Sequence, residues 1–374
     1  MPAEEIVNSS DTAANGDTAT LPVTSTSASS SSAGSSAERV TWTDPALTKA
    51  FGLPEFESKV FPFFYRHVGD FKEDELTMTV FVTENRLDRL RDLVVGYKGP
   101  VSAVLHIPPP SPTASSISDL TRTLQALSDL YTSASHPEIS QRLDIHLVSS
   151  HFPRQLNAWR NLARAYARTG WVMMLDVDLS LRTDVRGAFN EILGGGGEVG
   201  EEMKRGMGAL VVPAFEYKEP EREPENFNEF PATKQELTEA WKDRTIMYFY
   251  QYISARGQAP TNHTRYFEQT SPNATPNPDL TSTYLVDEWK LGYEPYLIFR
   301  KDGPPWCDER FIGFGHNKEA CAGEMLLSGM RFHVLREHFI VHRKHEKDGA
   351  DNKRNEVSFY LWLAGMGENE RKNG

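Results

Sequence analysis

Only two of the 374 residues are cysteine, Cys307 and Cys321, which excludes a disulfide-stapled scaffold and a cysteine-based zinc site. Two buried thiols are expected, with a single bridge as the alternative. No stretch approaches 18 uninterrupted apolar residues, so nothing reads as a membrane span. The N-terminus also lacks the basic-then-apolar pattern of a secretory signal. Basic excess is missing too: 40 Lys+Arg against 52 Asp+Glu leave a formal charge of −12. That balance argues against nucleic acid or an anionic membrane as the main partner, although an acidic chain still binds a nucleotide through a local metal site. There is no internal repeat. Met1 to Ser36 holds one Ile, one Leu and two Val, too little apolar surface to offset chain entropy. Residues 1–37 are therefore read as a disordered Ser/Thr-rich tail and 38–374 as the folded part.

What is present begins as a regular alternation. Leu76 to Val82 reads as a strand, followed by a helix with Leu87, Leu90, Leu93 and Val94 on one side. Val101 to Ile107 is a second strand, closed by three prolines. Ser116 to Tyr131 is helical, Leu143 to Val148 a third strand, Gln155 to Arg168 a helix, and Trp171 to Leu175 a fourth strand. This β-α-β-α-β-α-β order predicts an α/β fold with a mainly parallel sheet and helices on both faces. The later pattern is looser: a flexible turn at 194–197, a strand over Gly208–Val212, an acidic Pro-rich loop at 218–231 and a helix over Lys234–Tyr252. Beyond 293, two strands are expected around the Asp302-Gly303 turn. A helix over Asn317–Leu327 and strands at Arg331–Leu335 and Phe339–His342 complete the block.

The most informative motif is Asp176-Val177-Asp178, which closes the fourth strand. Residues i and i+2 of a strand share a face, so the two carboxylates aim at one point. Ligands of open α/β sheets gather at this end of the strands. Such a pair suits a hard divalent cation that also holds a diphosphate. On the preceding helix, Asn157, Arg160, Asn161 and Arg164 recur at helical spacing opposite the apolar stripe Leu156, Trp159, Leu162 and Tyr166. This polar face is either solvated or carries Arg160 and Asn161 to the ligand. A second cluster, Trp306-Cys-Asp-Glu-Arg-Phe-Ile-Gly-Phe-Gly315, sets Asp308 and Glu309 among aromatics, where an acid's pKa rises toward that of a working base. The alternative is a structural Asp–Arg pair. His338, His342 and His345 form a third cluster; His338 and His342 share a face of a short strand, and a neutral imidazole added to two carboxylates suits Mn²⁺.

These stretches together resemble glycosyltransferase family 49, the LARGE-type and β-1,4-glucuronyltransferase-like enzymes. The similarity is carried by Thr77–Ile107 with Glu84-Asn-Arg-Leu87, by Leu156-Asn-Ala-Trp-Arg-Asn-Leu-Ala-Arg164 and by Met174-Leu-Asp-Val-Asp178. It continues through Pro260-Thr-Asn262 and from Tyr293-Glu-Pro-Tyr296 through Asp308–Lys318 to Phe339-Ile-Val-His342. The resemblance implies a GT-A fold, with a nucleotide-sugar half at about 75–180 and an acceptor half at about 181–345. It further implies a UDP-sugar donor (UDP-glucuronic acid by analogy), Mn²⁺, and inverting transfer to a hydroxyl of a glycan or glycoprotein. Carried over by position, Asp176, Asp178 and His342 are the metal ligands and Asp308 the base. Thr83, Arg86, Arg160, Asn161 and Asp176 are the candidate donor contacts. The family implies the Golgi lumen, but no anchor is legible here. Ser180-Leu-Arg also follows Asp178-Leu179 where relatives often carry a proline. Two rival readings are a non-catalytic glycan- or partner-binding descendant and a metal-dependent phosphoesterase. The phosphoesterase would want metal ligands at further strand ends, which here carry Thr83, Pro108 and Ser149.

Deleting Met1 to Ser36 is expected to leave the melting temperature unchanged, since that segment has almost nothing to bury. A loss of several degrees in a thermal melt would show that it docks on the fold.

Overall fold

A computed structural model describes residues 58–151, 154–268, 282–313 and 315–345; the Ser/Thr-rich tail assigned to residues 1–37 lies outside them. The chain opens with β1 (Lys59–Tyr65), a strand not anticipated from the sequence, and then follows the expected alternation. β2 (Leu76–Val82) runs through a 3₁₀ turn at Glu84–Arg86 into α1 (Leu87–Tyr97). β3 (Val101–Ile107), α2 (Ala114–Tyr131) and α3 (Glu138–Arg142) lead to β4 (Leu143–Ser149), and α4 (Leu156–Tyr166) leads to β5 (Trp171–Asp176). After β6 (Leu179–Ser180) come α5 (Val185–Gly194), α6 (Glu198–Lys204), β7 (Gly208–Val212), β8 (Ala214–Tyr217), α7 (Lys234–Lys242) and β9 (Ile246–Tyr248). The remainder is α8 (His263–Glu268), β10 (Thr283–Leu285), β11 (Tyr296–Arg300), α9 (Asn317–Leu327), β12 (Arg331–Leu335) and β13 (Ile340–His342).

Nine strands form the main sheet in the order β1-β4-β3-β2-β5-β11-β7-β12-β10. β4, β3, β2 and β5 are parallel, and β11 joins β5 antiparallel. The chain grows outward from β2 to β3 and β4, then crosses back to place β5 on the other side of β2. The crevice left by such a reversal is where doubly wound sheets hold ligands. Asp176 ends β5 in register with Phe81 of β2, so the D-x-D opens directly onto it. Apolar residues of α1, α2 and α5 pack on one face of these strands, while Trp159 and Ala163 of α4 pack with Val104 and Val148 on the other. This is the α/β, GT-A type architecture expected from the sequence. A smaller sheet, β6-β13-β8-β9, sets β13 beside the D-x-D, with His342 opposite Leu179.

Three local expectations are corrected. The helix from Lys234 stops at Lys242: Arg244 turns to positive φ (58°) and the aromatic run after it pairs as β9 with β8. Only one strand, β11, flanks the Asp302-Gly303 turn. Beyond it Pro304 and Pro305 have no N–H to donate to a ladder, and their carbonyls are taken by Arg164. Cys307 and Cys321 are joined in a disulfide rather than left as two thiols.

The largest surprise is α4. Asn157, Arg160, Asn161 and Arg164 are buried, together with Trp159 and Ala163, whereas Leu156, Leu162 and Tyr166 are half-buried. Arg164, 1% exposed, donates to the carbonyls of Lys301, Pro304 and Pro305 at 2.7–2.8 Å, and its guanidinium lies 4.2 Å from the Trp306 ring centroid. Burial pulls its pKa down to about 10, so it remains charged at neutral pH. Arg164→Leu should cost roughly 2–4 kcal/mol, because buried carbonyls lose their donors. Urea unfolding of the variant measures it; an unchanged midpoint would mean that this clamp contributes nothing to stability.

Candidate active site

The D-x-D carboxylates are held by residues from five separate segments. Asp176 Oδ2 accepts from Lys318 Nζ at 2.8 Å and from the Tyr296 hydroxyl at 2.9 Å, and its Oδ1 lies 3.4 Å from Arg160. Tyr296 opens β11, Lys318 is the second residue of α9, and Arg160 comes from α4. Lys318 Nζ also sits 3.9 Å from the Tyr296 ring centroid, a favourable cation–π placement. Burial alone would raise the Asp176 carboxyl. The Lys318 and Arg160 charges, with hydrogen bonds from Lys318 and Tyr296, carry it well below the usual range instead. Asp178 Oδ1 lies 3.0 Å from Arg89 and 3.1 Å from Arg86, and Oδ2 lies 3.5 Å from His345. Here burial dominates and the carboxyl is raised, against the pull of His345, Arg86 and Arg89. The backbone is pinned as well, since Arg343 N–H donates to the Asp178 carbonyl at 2.7 Å.

Of the residues expected to hold a metal, His342 ends β13 on the D-x-D side, its ring 4.8 Å from Phe249 and 5.4 Å from His345. Burial lowers its pKa to about 3, so the imidazole is neutral, the form a metal ligand needs. His338 is not its partner on a strand face. β13 begins only at Ile340, and the charged groups that His338 feels are Asp184, Glu191 and Lys234. Among the described residues no three His, Cys, Asp or Glu side chains converge as a cage. Nucleotide-bound divalent ions do not require one, since one or two carboxylates plus phosphate oxygens suffice. Asp178 Oδ1 is a buried oxygen that, despite its two guanidinium neighbours, accepts no hydrogen bond. The two carboxylates, with the Asp178 oxygen that accepts no hydrogen bond, fit a divalent ion shared with phosphate oxygens.

Among the expected donor contacts, Arg86 and Arg160 reach the D-x-D, while the Thr83 hydroxyl donates to Asn85 at 2.6 Å just after β2. Asn161 is corrected. Its amide is spent on Cys307, donating to the carbonyl at 2.8 Å and accepting from the N–H at 3.0 Å, and it donates a second bond to Glu309. Asp308 is placed differently from the base it was expected to be. Its side chain is 1% exposed, and Arg310 binds both oxygens at 2.5–3.0 Å while the Arg310 N–H caps one of them. A carboxylate closed in this way is the structural Asp–Arg pair. Gly313 and Gly315, both at φ near +95°, turn the chain from that pair into α9.

Residues missed from the sequence are Arg89, Tyr296 and Lys318. Arg89 was findable, because it lies three residues after Arg86 and so on the same helix face. The others are single polar residues at element ends, without a repeat to mark them.

The family profile described as "Glycosyl-transferase for dystroglycan" matches residues 149–360, more than half of the chain. Human "Xylosyl- and glucuronyltransferase LARGE2" is 30% identical over 282 residues, which are 72% of this chain and 33% of that protein. "Beta-1,4-glucuronyltransferase 1" of Danio rerio is 26% identical over 240 residues (60% of this chain, 51% of the relative), and its human counterpart is 28% identical over 247 (64% and 53%). The chain thus spans about a third to a half of the length of these relatives. Among solved structures, Staphylococcus aureus TarS (1–349) aligns over 72% of this chain and 60% of its own, with 11% identity and a TM-score of 0.34. On the profile match, this chain belongs to glycosyltransferase family 49.

Proposed function

We propose that this chain is a metal-dependent inverting glycosyltransferase, moving a sugar from a UDP-sugar to a hydroxyl of a glycan acceptor. The donor is taken to be UDP-glucuronic acid, following the names of the relatives. One observation carries the reading. The D-x-D lies at the switch point of a doubly wound sheet, and four cations, Arg86, Arg89, Arg160 and Lys318, surround its two carboxylates. Two positive charges therefore stand in excess, a match for a diphosphate.

In this reading Asp176 and Asp178, with His342 beside them, would hold Mn²⁺, and the bound ion would supply Lewis-acid stabilisation of the diphosphate leaving group. Tyr296 and Lys318 keep Asp176 ionised and oriented. Arg86 and Arg89, drawn to Asp178, bring positive charge to the place proposed for the phosphates, with Arg89 also donating to the carbonyls of Arg343 and Lys344. Holding donor and acceptor in line supplies much of the rate. The acceptor side falls to the segments around β9 and β13, where Tyr252 and Ile253 are exposed beside the turn after β9.

Asp178→Asn removes one ligand charge at constant volume. It should cut transfer by roughly 10²–10³, the scale of losing a group that stabilises developing charge, with the fold retained by circular dichroism. In a thermal-shift assay, UDP should stabilise the wild type only when Mn²⁺ is present, and the variant little. Comparable turnover of variant and wild type at saturating Mn²⁺ would refute the metal assignment, and UDP stabilisation indifferent to Mn²⁺ would refute the metal dependence.

A further inference from the structure

Inverting transfer needs a group to take the acceptor's proton, and the Asp308–Arg310 pair leaves that place empty. The other carboxylates around the site are occupied. Glu309 accepts from Asn161, and Glu319 accepts from the Gly292 N–H and bonds His316. Glu223 takes the Lys344 N–H with both oxygens, and Glu216 takes the Tyr250 N–H. Glu294 differs: among the described residues its carboxylate makes no hydrogen bond and no ion pair, although its backbone is fixed at both ends. Its N–H donates to the Gly257 carbonyl at 2.9 Å, and its own carbonyl accepts from Gln258 Nε2 at 2.9 Å.

The location follows from local rules. Pro295 biases Glu294 toward extended backbone, and in extended chain residues two apart share a face. An extended Glu294 is thereby expected on the face of Tyr296, whose hydroxyl is on Asp176. The charged groups that Glu294 faces are Lys318, Arg160, Asp176 and Glu319, the first three being the Asp176 constellation itself. Burial is the main influence on its carboxyl and raises it, opposed by Lys318 and Arg160 and assisted by Asp176 and Glu319. It is half-buried.

We propose that Glu294 is the general base of the transfer. As the acceptor oxygen attacks the anomeric carbon, its O–H proton passes to the Glu294 carboxylate and the new C–O bond forms. The bond from the anomeric carbon to the diphosphate oxygen breaks, and its electron pair leaves on UDP; the proton is later released to water. This assignment rests on the reading of the chain as a glycosyltransferase and adds the residue that the reading lacks.

The test uses the full chain with Mn²⁺, a panel of UDP-sugars and aryl glycosides as acceptors. Glu294→Gln should lower kcat by roughly 10²–10⁴, with the UDP-and-Mn²⁺ thermal shift and donor KM within about threefold of wild type. Glu294→Asp, which keeps the charge but withdraws it by one methylene, should lose kcat by an intermediate factor and covers the case in which the glutamine variant does not fold. Asp308→Asn should lower the melting temperature yet keep kcat within about tenfold where it folds. Full kcat in a folded Glu294→Gln or Glu294→Asp overturns the assignment, as does an equal loss of UDP binding and kcat. A wild type that transfers from no UDP-sugar instead defeats the glycosyltransferase reading, independently of Glu294.

Discussion

The polar face of α4 is satisfied not by water but by the backbone of a segment about 140 residues further along the chain. Asn157 donates to the carbonyls of Asp308 and Asn317, Asn161 exchanges a pair of bonds with Cys307, and Arg164 collects three carbonyls from 301 to 305. That segment has little regular structure of its own. Its peptide groups would be buried without partners, each at a cost of about 1–3 kcal/mol, were the helix not there to meet them. The Asp176 side of the D-x-D depends on the arrangement. Arg160 bridges Asn157 and Asn317 to Asp176, and the start of α9 so fixed delivers Lys318 to the same carboxylate. The Cys307–Cys321 bond ties the two ends of the segment together.

Charge is the second constraint. The chain as a whole carries −12, yet around the two D-x-D aspartates the sign reverses. Taking four cations partly out of water beside two carboxylates is costly unless every charge has a counterpart. The pairs are divided evenly, Arg160 and Lys318 on Asp176, Arg86 and Arg89 on Asp178. The remaining imbalance is positive and faces the crevice. An acidic surface with a small basic pocket repels bulk polyanions while leaving room for one compact anionic group.

Much of the stretch from about 75 to 180 was legible because its physics is periodic. Buried parallel strands read as apolar runs, and the α1 stripe of Leu87, Leu90, Leu93 and Val94 is buried as expected. The D-x-D stood out because position along a strand determines where its side chains meet. Periodicity failed on α4, where a polar stripe looks the same whether it faces solvent or another backbone, and only the partner segment decides. Asp308 misled for a related reason: an acid next to an arginine reads equally as a base and as a salt bridge. Lys318, Tyr296 and Glu294 stand in stretches that carry the family resemblance, but no local periodicity gives any of them a role. β8 and β9 were missed because four- and three-residue strands are too short to show an alternation.

β11 lies between β5 and β7 in the main sheet, although it is made some 120 residues after β5, as the Tyr296–Asp176 bond records. During synthesis the strand bearing the D-x-D therefore emerges with one edge unpaired, and an apolar edge of that kind is a template for pairing with other chains. A fragment ending near residue 180 would carry both aspartates and the whole β-α-β alternation, yet expose that edge and lack Tyr296 and Lys318. The region up to about residue 180 is thus a part of the fold and not a module that can be lifted out, and an isolated piece of it is expected to aggregate.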